Sequence, residues 1–446
     1  MPAQSQEITA ASYQPLINHR LPVGTKWALH VFDFNGATVL AAGAKGELLV
    51  PGSALKLLIT GARVQSDQLE WPSAALLSEN LPAAAGLTGN LYLRGSGNAL
   101  FSLNDLEEAV ADLKRRGLRR IEGAVIADET FFHVKDWIPV RNGPASAFPG
   151  ALGLDLHTVR VTVRPAQSGE APQVFVDPPN DSVRFAIAAR TIAGVNNSLQ
   201  ITQLDDRSYK IVGTLPVDAG ETSRRFVLAD PALYAAEVLK TLLEKAGISV
   251  GKTIRKGKTQ EGAVVLATIP GPQLEEVLRN MNHHSLNIVA DNLLLVLGAQ
   301  RFGPPGTREK GVKAVEEFLA GLDLPMDEVR IYDGSGLSDQ NRVTAYFMAR
   351  YLYQVSKKPW FARFKSTLPR PGFDGTVRAI GFSDERFRVK SGRLQDVYAL
   401  SGYGVDGSGK NVAFCFIVNG QGVGMLPTLD QVGADVLNFI ATETFH

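Results

Sequence analysis

Hydrophobic and polar positions alternate along this chain in patterns that predict strands first and helices later. Short alternating runs surround Asn35-Gly36, a dipeptide that is the strongest short signal for a β-hairpin. Residues 89–128 follow a strand–helix–strand pattern typical of a small α/β unit. Residues 155–228 contain short alternating runs separated by turn residues, which predict a small all-β domain.

Helix signals become frequent after the β-rich stretch. Asp230 and Pro231 start an amphipathic segment that Gly247 ends, and this order of residues predicts a helix. Further helices are expected at 272–281, 286–300, 308–321, 344–356 and 428–443. The runs RFRVKSG, VYALSGYG and VAFCFIVNG follow one another with short turns, so these late strands are expected to pair antiparallel.

A cluster of basic residues, KRRGLRR, has a structural explanation. Asn104 is expected to cap a helix whose first turn is acidic and whose last turn holds Lys114, Arg115 and Arg116 before Gly117. Acidic residues at the start of a helix and basic residues at its end are stabilised by the helix dipole. This arrangement explains the cluster without nucleic acid.

The composition is that of a globular protein with more than one domain. The 446 residues are too many for one ordinary core, and 46 Lys+Arg against 45 Asp+Glu leave a formal net charge of +1. No overall positive field therefore draws the chain to nucleic acid or acidic membranes, and no apolar run reaches the ~20 residues of a spanning helix. The single cysteine, Cys415, excludes a disulfide framework and is expected to be a buried strand residue.

The segment Ser53-Ala54-Leu55-Lys56 is the first candidate for chemistry. Residues i and i+3 share one face of a helix, so Lys56 can reach the Ser53 hydroxyl. A lysine whose pKa is lowered by burial or by a nearby cation can activate a serine nucleophile. Alone this pair is a weak signal, because an N-capping serine and a surface lysine give the same pattern.

Two later tripeptides are weaker still when each is taken alone. Residues 285–287, Ser-Leu-Asn, stand at a predicted helix start, and the same tripeptide occurs at 102–104, where it is assigned to capping. Residues 390–392, Lys-Ser-Gly, end a predicted strand and are compatible with an ordinary turn.

Other motifs favour structural interpretations. Gly402, Gly404 and Gly407 spell G-x-G-x-x-G, but they lie between two apolar strands, so a hairpin loop is favoured over a dinucleotide site. His283 and His284 are adjacent and cannot both face one metal ion from a helix, so a structural role is favoured for them.

In this order, the three motifs resemble the Ser-x-x-Lys, Ser-x-Asn and Lys-Ser/Thr-Gly set of the penicilloyl-serine transferases. Three longer segments, DGSGLSDQNRVT, TLPRPGFDGTVR and DPALYAAEVLKTLLEKAGI, are similar to stretches of the class C low-molecular-mass penicillin-binding proteins. These are the D-alanyl-D-alanine carboxypeptidase/endopeptidases of the penicillin-binding protein 4 type. The resemblance runs from about residue 15 to residue 440.

The resemblance implies a multidomain α/β protein. A serine β-lactamase/DD-peptidase (transpeptidase-like) domain is expected at 1–65 and 259–446, an inserted α/β domain at 66–154 and 226–258, and a nested small all-β domain at 155–225. The family carries a large insertion between its Ser-x-x-Lys and Ser-x-Asn motifs, and this insertion explains the order of the domains.

The resemblance also implies a serine acyl-enzyme DD-peptidase that acts on peptidoglycan peptides ending in D-Ala-D-Ala. Ser53 is the expected nucleophile and Lys56 its base, while Ser285 is expected to pass a proton to the leaving amine. Asn287 is expected to orient Lys56 and the substrate amide. Lys390 is expected to bind the terminal carboxylate and to hold down the pKa of Lys56.

Neighbouring positions complete the expected substrate site. The Ser391 hydroxyl is expected to help bind the terminal carboxylate beside Gly392, and the backbone N–H groups of Ser53 and Arg393 are expected to form an oxyanion hole. Arg393 stands where the family often has threonine, so its side chain could add a second cation or could narrow the cleft. Leu286 replaces a common polar residue at the cleft rim.

Two interpretations stay open for Asp128, which ends a predicted buried strand in VIADETFF. One is a turn or capping residue. The other, implied by the resemblance, is a carboxylate over the catalytic cleft that meets the free ammonium of the stem's diamino acid. Glu129 is the alternative carboxylate for that contact.

The expected partners are peptidoglycan stem peptides, with β-lactam antibiotics as covalent inhibitors. Nucleic acid, an integral membrane segment, a cofactor and a metal are not expected. The start MPAQSQEITAAS lacks the basic and apolar regions of a signal peptide. Because the substrate lies outside the cytoplasmic membrane, a periplasmic or secreted enzyme is expected whose export signal is absent from this sequence.

Two alternatives to the DD-peptidase are a β-lactamase and a non-catalytic murein-binding scaffold. A β-lactamase shares the acyl-enzyme, but no motif here clearly supplies a fast deacylation base. A scaffold has no use for a lysine-activated serine, so the intact motif set argues against it.

Overall fold

The computed structural model describes residues 20–66, 73–82, 86–134, 137, 147–251 and 253–445. The chain divides into two compact units. We call residues 1–69 with 273–446 the split unit, and residues 70–272 the inserted unit. The expectation that the start MPAQSQEITAAS is not a signal peptide concerns residues outside the described ranges.

The described strands, in chain order, are β1 (Lys26–Asp33), β2 (Thr38–Gly43), β3 (Ala74–Ser78), β4 (Gly86–Leu87), β5 (Leu91–Gly95), β6 (Arg120–Ile121), β7 (Val125–Asp128), β8 (Thr158–Arg164), β9 (Gln173–Asp177), β10 (Arg184–Ile187), β11 (Arg190–Ile192), β12 (Gln200–Asp205), β13 (Ser208–Val212), β14 (Thr214–Pro216), β15 (Thr222–Val227), β16 (Ser249–Val250), β17 (Ile254–Lys256), β18 (Val264–Ile269), β19 (Val329–Arg330), β20 (Arg342–Val343), β21 (Arg388–Leu394), β22 (Val397–Val405) and β23 (Asn411–Asn419). The described α-helices are α1 (Lys56–Gln65), α2 (Leu103–Arg115), α3 (Pro231–Lys245), α4 (Leu274–His284), α5 (Asn287–Phe302), α6 (Arg308–Ala320), α7 (Ala345–Ser356), α8 (Phe361–Ser366) and α9 (Leu429–Thr442).

The split unit is organised around one antiparallel sheet in the order β2-β1-β23-β22-β21. The hairpin at Asn35-Gly36 and the antiparallel pairing of the late strands are confirmed. Helix α7 packs against β1 and β23, while α9 packs against β22. The Tyr403 side chain, on one face of β22, donates to a carbonyl of α7. The Tyr398 side chain, on the other face of the strand, lies against α9. The two helices therefore cover opposite faces of the sheet.

The glycines of the G-x-G-x-x-G pattern are explained by close packing. Gly402 and Gly404 lie inside β22, so the expected hairpin loop is correct only for Gly407, in the turn that follows. A Cβ on Gly402 would lie 2.0 Å from the Arg388 carbonyl oxygen, and one on Gly404 would lie 2.2 Å from the Phe387 ring. Side chains are therefore excluded at both positions by neighbouring atoms.

The inserted unit combines a mixed sheet with smaller β structures. Its main sheet has the order β17-β7-β5-β3-β18, with α2 against β18 and α3 against β7. The β-rich region follows as sheets β15-β8-β9, β10-β13-β12 and β11-β14. One hydrophobic cluster contains residues of both regions, among them Leu106 of α2 and Val161 of β8. The separation of a nested domain at 155–225 stays a prediction.

The helix caps of the inserted unit confirm one expectation and correct another. Asp230 accepts a hydrogen bond from the Leu233 N–H at the start of α3, as predicted. Helix α2 is capped by Ser102 and not by Asn104. Ser102 and Asp105 form a reciprocal capping box, in which the N–H of each residue is bonded by the side chain of the other.

The boundaries of the inserted unit differ from the expected ones. Strand β18 pairs antiparallel with β3, and the Ser73 N–H donates to the Ile269 carbonyl at 3.0 Å. Residues 259–272 therefore belong to the inserted unit and not to the split unit. Ser73 and Ile269, near the two ends of this unit, therefore lie side by side.

Two further expectations concern single features. Cys415 is buried in β23, where burial raises the pKa of its thiol to about 12. Within the ranges that the structure describes, none of the helices has both the length and the apolar character needed to cross a membrane.

We predict that residues 70–272 fold alone and that a fragment ending at 258 does not match its stability. The shorter fragment loses β18 and with it the buried Leu266 and Ile269, each worth about 1.5–3 kcal/mol of hydrophobic burial. Its free energy of unfolding should be lower by about 3–6 kcal/mol. Urea titration of both fragments measures this, and equal stabilities would contradict the boundary at 272.

Candidate active site

The Ser-x-x-Lys segment lies where a 3-10 helix, Gly52–Leu55, continues into α1. Gly52 has a φ of +53°, a left-handed conformation that glycine adopts without strain. Ser53 is 7% exposed and Lys56 is completely buried. The Lys56 amine donates to the Ser53 hydroxyl oxygen at 2.9 Å, so the i and i+3 side chains meet as their spacing predicts.

Two further acceptors hold the Lys56 amine. Nζ donates to Oδ1 of Asn287 at 2.8 Å and to the carbonyl oxygen of Ser335 at 2.6 Å. Asn287 is the first residue of α5, and Ser335 lies in a loop between β19 and β20. Three distant segments of the chain therefore converge on one nitrogen atom.

A sharp break between α4 and α5 positions Ser285. This residue ends α4 with φ 54° and ψ 40°, a left-handed conformation that is uncommon for a side chain other than glycine. The Leu286 N–H then donates to the Met281 carbonyl at 3.1 Å. The break leaves the Ser285 hydroxyl within 3.1 Å of the Lys390 amine.

Strand β21 passes beside the nucleophile. Lys390 is completely buried and also donates to the Ser391 carbonyl at 2.6 Å. A Cβ on Gly392 would lie 2.7 Å from the Pro51 carbonyl oxygen and 2.9 Å from the Ser53 nitrogen. Only glycine permits this approach between the strand and the 3-10 helix.

The segment TLPRPGFDGTVR contributes a second hydroxyl next to Ser391. The Oγ atoms of Thr376 and Ser391 lie 2.7 Å apart. Gly375, with φ +54°, lies so close to His283 that a Cβ would be 2.4 Å from its carbonyl oxygen. The glycine thus lets the Thr376 turn approach the end of α4.

Burial lowers the pKa values of both lysines. It lowers the pKa of Lys56 to about 8, against the opposing effects of Asp291 and Asp333. Burial, followed by the charge of Lys56, lowers the pKa of Lys390 well below its usual value. Burial is thus the main cause for Lys56, and the expected additional contribution of Lys390 to its pKa stays a prediction.

A buried carboxylate supports the loop that carries Ser335. Asp291 accepts hydrogen bonds from the N–H groups of Gly334 at 2.9 Å and of Ser335 at 2.8 Å. Burial and the neighbouring Asp333 raise the pKa of Asp291 well above its usual value, and Lys56 opposes this rise. Asp291 therefore acts on Lys56 both through the loop and through its charge.

The same loop is held by two more buried polar residues. Asp333 accepts from the N–H groups of Gly336 at 2.7 Å and Ser338 at 2.8 Å. The Asn341 amide donates to Asp333 at 3.0 Å and accepts from the Tyr332 N–H at 2.8 Å. These bonds explain Asp333 and Asn341 in DGSGLSDQNRVT.

Arg393 directs its charge away from the lysines. Its guanidinium donates to Asp430 of α9 at 2.7 Å, in an ion pair whose side chains are about half exposed. The expected second cation in the site is therefore not found there. The backbone of Arg393 continues β21 beside the 3-10 helix.

Asp128 lies in the inserted unit and is 1% exposed. Its carboxylate accepts four hydrogen bonds, two from Thr130 and two from Thr259. Burial raises the pKa of this carboxyl, but the hydrogen bonds outweigh that effect and leave the pKa below its usual value. This arrangement is the one expected of a turn residue. Glu129 forms an ion pair with Lys256. A substrate contact for either residue stays a prediction.

Several site residues were missed by reasoning from the sequence, namely Asp291, Asp333, Ser335, Asn341 and Thr376. The sequence spacing could have indicated Asp291, because it follows Asn287 by four positions and therefore shares its helix face. In the described part of the chain, no group of three or more His, Cys, Asp or Glu side chains could hold a metal ion.

The chain is similar to known D-alanyl-D-alanine carboxypeptidases. The model of the D-Ala-D-Ala carboxypeptidase 3 (S13) family matches residues 14–436. A D-alanyl-D-alanine carboxypeptidase of Actinomadura sp. (strain R39) is 30% identical over 401 residues, covering 84% of this chain and 74% of that protein. D-alanyl-D-alanine carboxypeptidase DacB of Haemophilus influenzae is 26% identical over 413 residues, covering 89% and 84%.

The fold is similar to that of a solved structure. The crystal structure of penicillin binding protein 4 (dacB) from Haemophilus influenzae matches with a TM-score of 0.81 and 22% identity, covering 95% of this chain and 98% of that one. The expected fold class and family resemblance are therefore confirmed. The chain belongs to the D-Ala-D-Ala carboxypeptidase 3 (S13) family and is a serine-type DD-peptidase.

Proposed function

We propose that the chain hydrolyses D-Ala-D-Ala-type bonds of peptidoglycan stem peptides through an acyl-enzyme on Ser53, as a DD-carboxypeptidase, a DD-endopeptidase or both. The observation that carries the proposal is the 2.9 Å hydrogen bond between the buried Lys56 amine and the Ser53 hydroxyl. A buried lysine with a pKa of about 8 is partly unprotonated near neutral pH and can accept the serine proton.

In the acylation step, Lys56 takes the proton of Ser53 while Ser53 Oγ attacks the penultimate carbonyl carbon. The carbonyl oxygen becomes an oxyanion, which the N–H groups of Ser53 and Arg393 stabilise. The close approach of Gly392 to the Ser53 nitrogen supports this pairing of the strand with the 3-10 helix. Such donors typically contribute a few kcal/mol each to the transition state.

Collapse of the tetrahedral intermediate breaks the peptide bond. Ser285 gives its proton to the leaving amine, and Lys390, 3.1 Å from its hydroxyl, replaces that proton. The proton that Lys56 took from Ser53 then passes to Lys390, which has given one to Ser285, so the proton count balances. Water then attacks the acyl-enzyme by the same route in reverse, with Ser53 as the leaving group.

The terminal carboxylate binds beside Lys390. The Ser391 and Thr376 hydroxyls stand next to each other at 2.7 Å and offer two O–H donors to a carboxylate. A carboxylate close to Lys390 favours its ammonium form and offsets the cost of burying that charge. The Arg393 side chain, held by Asp430, takes no part.

We further propose that β-lactams acylate Ser53. The strained amide of a β-lactam presents a carbonyl and a nearby carboxylate to the same groups. A crystal structure of the Haemophilus influenzae relative is described as a complex with a novel β-lactam, which supports the proposal.

Slow deacylation is expected after such a reaction. Among the residues that the structure describes, only Lys56 forms a hydrogen bond with the Ser53 hydroxyl. The nearby carboxylates of Asp291 and Asp333 are occupied by backbone N–H groups. No observation therefore favours a β-lactamase over the peptidase.

The site of action follows from the substrate. Stem peptides lie outside the cytoplasmic membrane, so we propose a periplasmic or secreted enzyme. Fractionation of the source cells should recover the activity outside the cytoplasm, and recovery only from the cytoplasm would contradict the location.

Replacing Ser53 by alanine tests the nucleophile. Ser53→Ala should lower DD-peptidase activity by a factor on the order of 10³ or more and should abolish penicillin labelling. Intact-protein mass spectrometry and circular dichroism give the adduct and the fold. Labelling that persists on another serine would contradict the assignment.

The pH dependence of kcat/KM tests the role of Lys56. Because the unprotonated amine is the base, kcat/KM should rise with pH through an apparent pKa near 8. Asp291 raises the Lys56 pKa, so Asp291→Asn should move this rise to lower pH while the amide oxygen keeps its two N–H partners. The exposed Asp323→Asn is the charge-matched control and should leave the profile unchanged. A rise that stays in place in Asp291→Asn would contradict the charge effect.

Carboxylate recognition is tested with paired substrates. Ser391→Ala and Thr376→Val should each lower kcat/KM on acyl-D-Ala-D-Ala roughly ten- to hundredfold. This factor corresponds to the loss of about 1.5–3 kcal/mol from one hydrogen bond to a charged group. Both should barely affect a substrate whose C-terminus is an amide. Ser356→Ala, which removes a hydroxyl that donates to the Tyr353 carbonyl, serves as the control. Equal losses on both substrates would mean a structural role.

A further inference from the structure

A polar cavity lies in the inserted unit, where strands β8, β9 and β15 meet the start of α2. It has a volume of about 180 Å³. Four charged side chains line it together with the first residues of the helix, and the complete lining is Ser102, Leu103, Asn104, Asp155, Arg160, Asp177 and Arg225. None of these residues has a role in the peptidase reaction described above.

The sheet places three of the charges in one cross-strand row. Arg160 of β8 lies directly opposite Arg225 of β15 and, on its other side, directly opposite Asp177 of β9. Residues in such pairs lie on the same face of the sheet. Two like charges directly opposite each other are destabilising, so the arginine pair would gain from a carboxylate placed between them.

The anions within the cavity do not neutralise the arginines by direct contact. In the part of the chain that the structure describes, none of the four charged groups forms an ion pair within 4.0 Å. Of the four side chains, Arg225 forms a hydrogen bond in the described structure, which it donates to the Thr158 hydroxyl at 3.2 Å. Elsewhere on the same strand pair, Arg164 and Glu221 do form an ion pair, at 2.8 Å.

Asp155 is fixed at the other side of the cavity. Its backbone has a φ of 48°, and its N–H donates to the Phe101 carbonyl at 2.8 Å. Burial and then the charge of Asp177 raise the pKa of its carboxyl to about 6, while Arg225 and Arg160 oppose the rise and Asp105 adds to it. The carboxylate form of Asp155 would gain from a cation placed in the cavity.

We propose that this cavity binds the zwitterionic head of an α-amino acid, with its carboxylate on Arg160 and Arg225 and its ammonium on Asp155 and Asp177. The four side chains carry no net charge, so a simple anion is repelled by the aspartates and a simple cation by the arginines. A ligand with both charges on neighbouring atoms satisfies all four groups. The volume fits the head group of an amino acid.

Two sources can supply this chemistry. One is a free amino acid, including the D-alanine that a DD-carboxypeptidase releases. The other is the free end of a diamino acid within a stem peptide, which carries an ammonium and a carboxylate on one carbon. Binding of either would be separate from the Ser53 site, and the proposal therefore does not depend on the acyl-enzyme mechanism.

The test is isothermal titration calorimetry on the full chain, with ligand-observed NMR for weak binding. The probes are D-alanine, L-alanine, and a stem peptide whose diamino acid has a free amino-acid end. N-acetylalanine lacks the cation and alanine amide lacks the anion, and each should bind at least tenfold more weakly than alanine. Where the cavity variants weaken binding, binding of free alanine identifies a free amino acid, and binding of the peptide alone identifies the stem.

Two exposed residues of the cavity allow variants that keep the fold. Arg225→Gln and Asp177→Asn should each weaken binding at least tenfold without changing DD-peptidase activity. The control Arg164→Gln lies on the same sheet outside the cavity and should bind as the parent does. Thermal unfolding checks that each variant is folded. No binding of any zwitterion, equal binding of acetate, or binding unchanged in both cavity variants would overturn the proposal.

Discussion

The active site depends on keeping one lysine amine buried, uncharged for part of the time and in reach of a serine. Complete burial of Lys56 disfavours its ammonium form, and a buried amine without acceptors would cost several kcal/mol. The chain meets this constraint with three acceptors, the Ser53 hydroxyl, the Asn287 amide and the Ser335 carbonyl. These acceptors come from the start of α1, the start of α5 and the loop after β19. The rest of the split unit has to hold three segments within hydrogen-bonding distance of one atom.

Glycine residues hold these three segments together, because they let the backbones approach one another closely. A Cβ on Gly336 would lie 2.0 Å from the Gly52 carbonyl oxygen, and one on Gly334 would lie 2.3 Å from the Ala290 carbonyl oxygen. The loop that carries the Ser335 carbonyl is thus pressed between the 3-10 helix and α5. Gly392 brings β21 against the same 3-10 helix in the same way. Any side chain at these positions would move a partner of Lys56 by more than hydrogen-bond geometry tolerates.

What the sequence reveals of this site follows from how local each interaction is. Ser53 and Lys56 can be paired from their spacing alone, because one helical turn joins them. Ser285 and Lys390 meet only through long-range folding, and the family resemblance was needed to place them together. Ser335 acts through its backbone carbonyl, which leaves no mark on residue type. The cap of α2 shows the same limit at short range, since Ser102 and Asn104 are both good caps and the box with Asp105 decides between them.

One departure from the family pattern, Arg393, has a physical consequence for the site. Arg393 is neutralised by Asp430 at the surface, so the only cation left for a substrate carboxylate among the predicted residues is the buried Lys390. Burial and Lys56 both disfavour its ammonium form. A carboxylate that arrives beside it reverses this preference and draws a proton to Lys390. In the proposed mechanism Lys390 restores the Ser285 proton, so binding of a peptide with a free C-terminal carboxylate would charge the group that supplies the leaving-group proton.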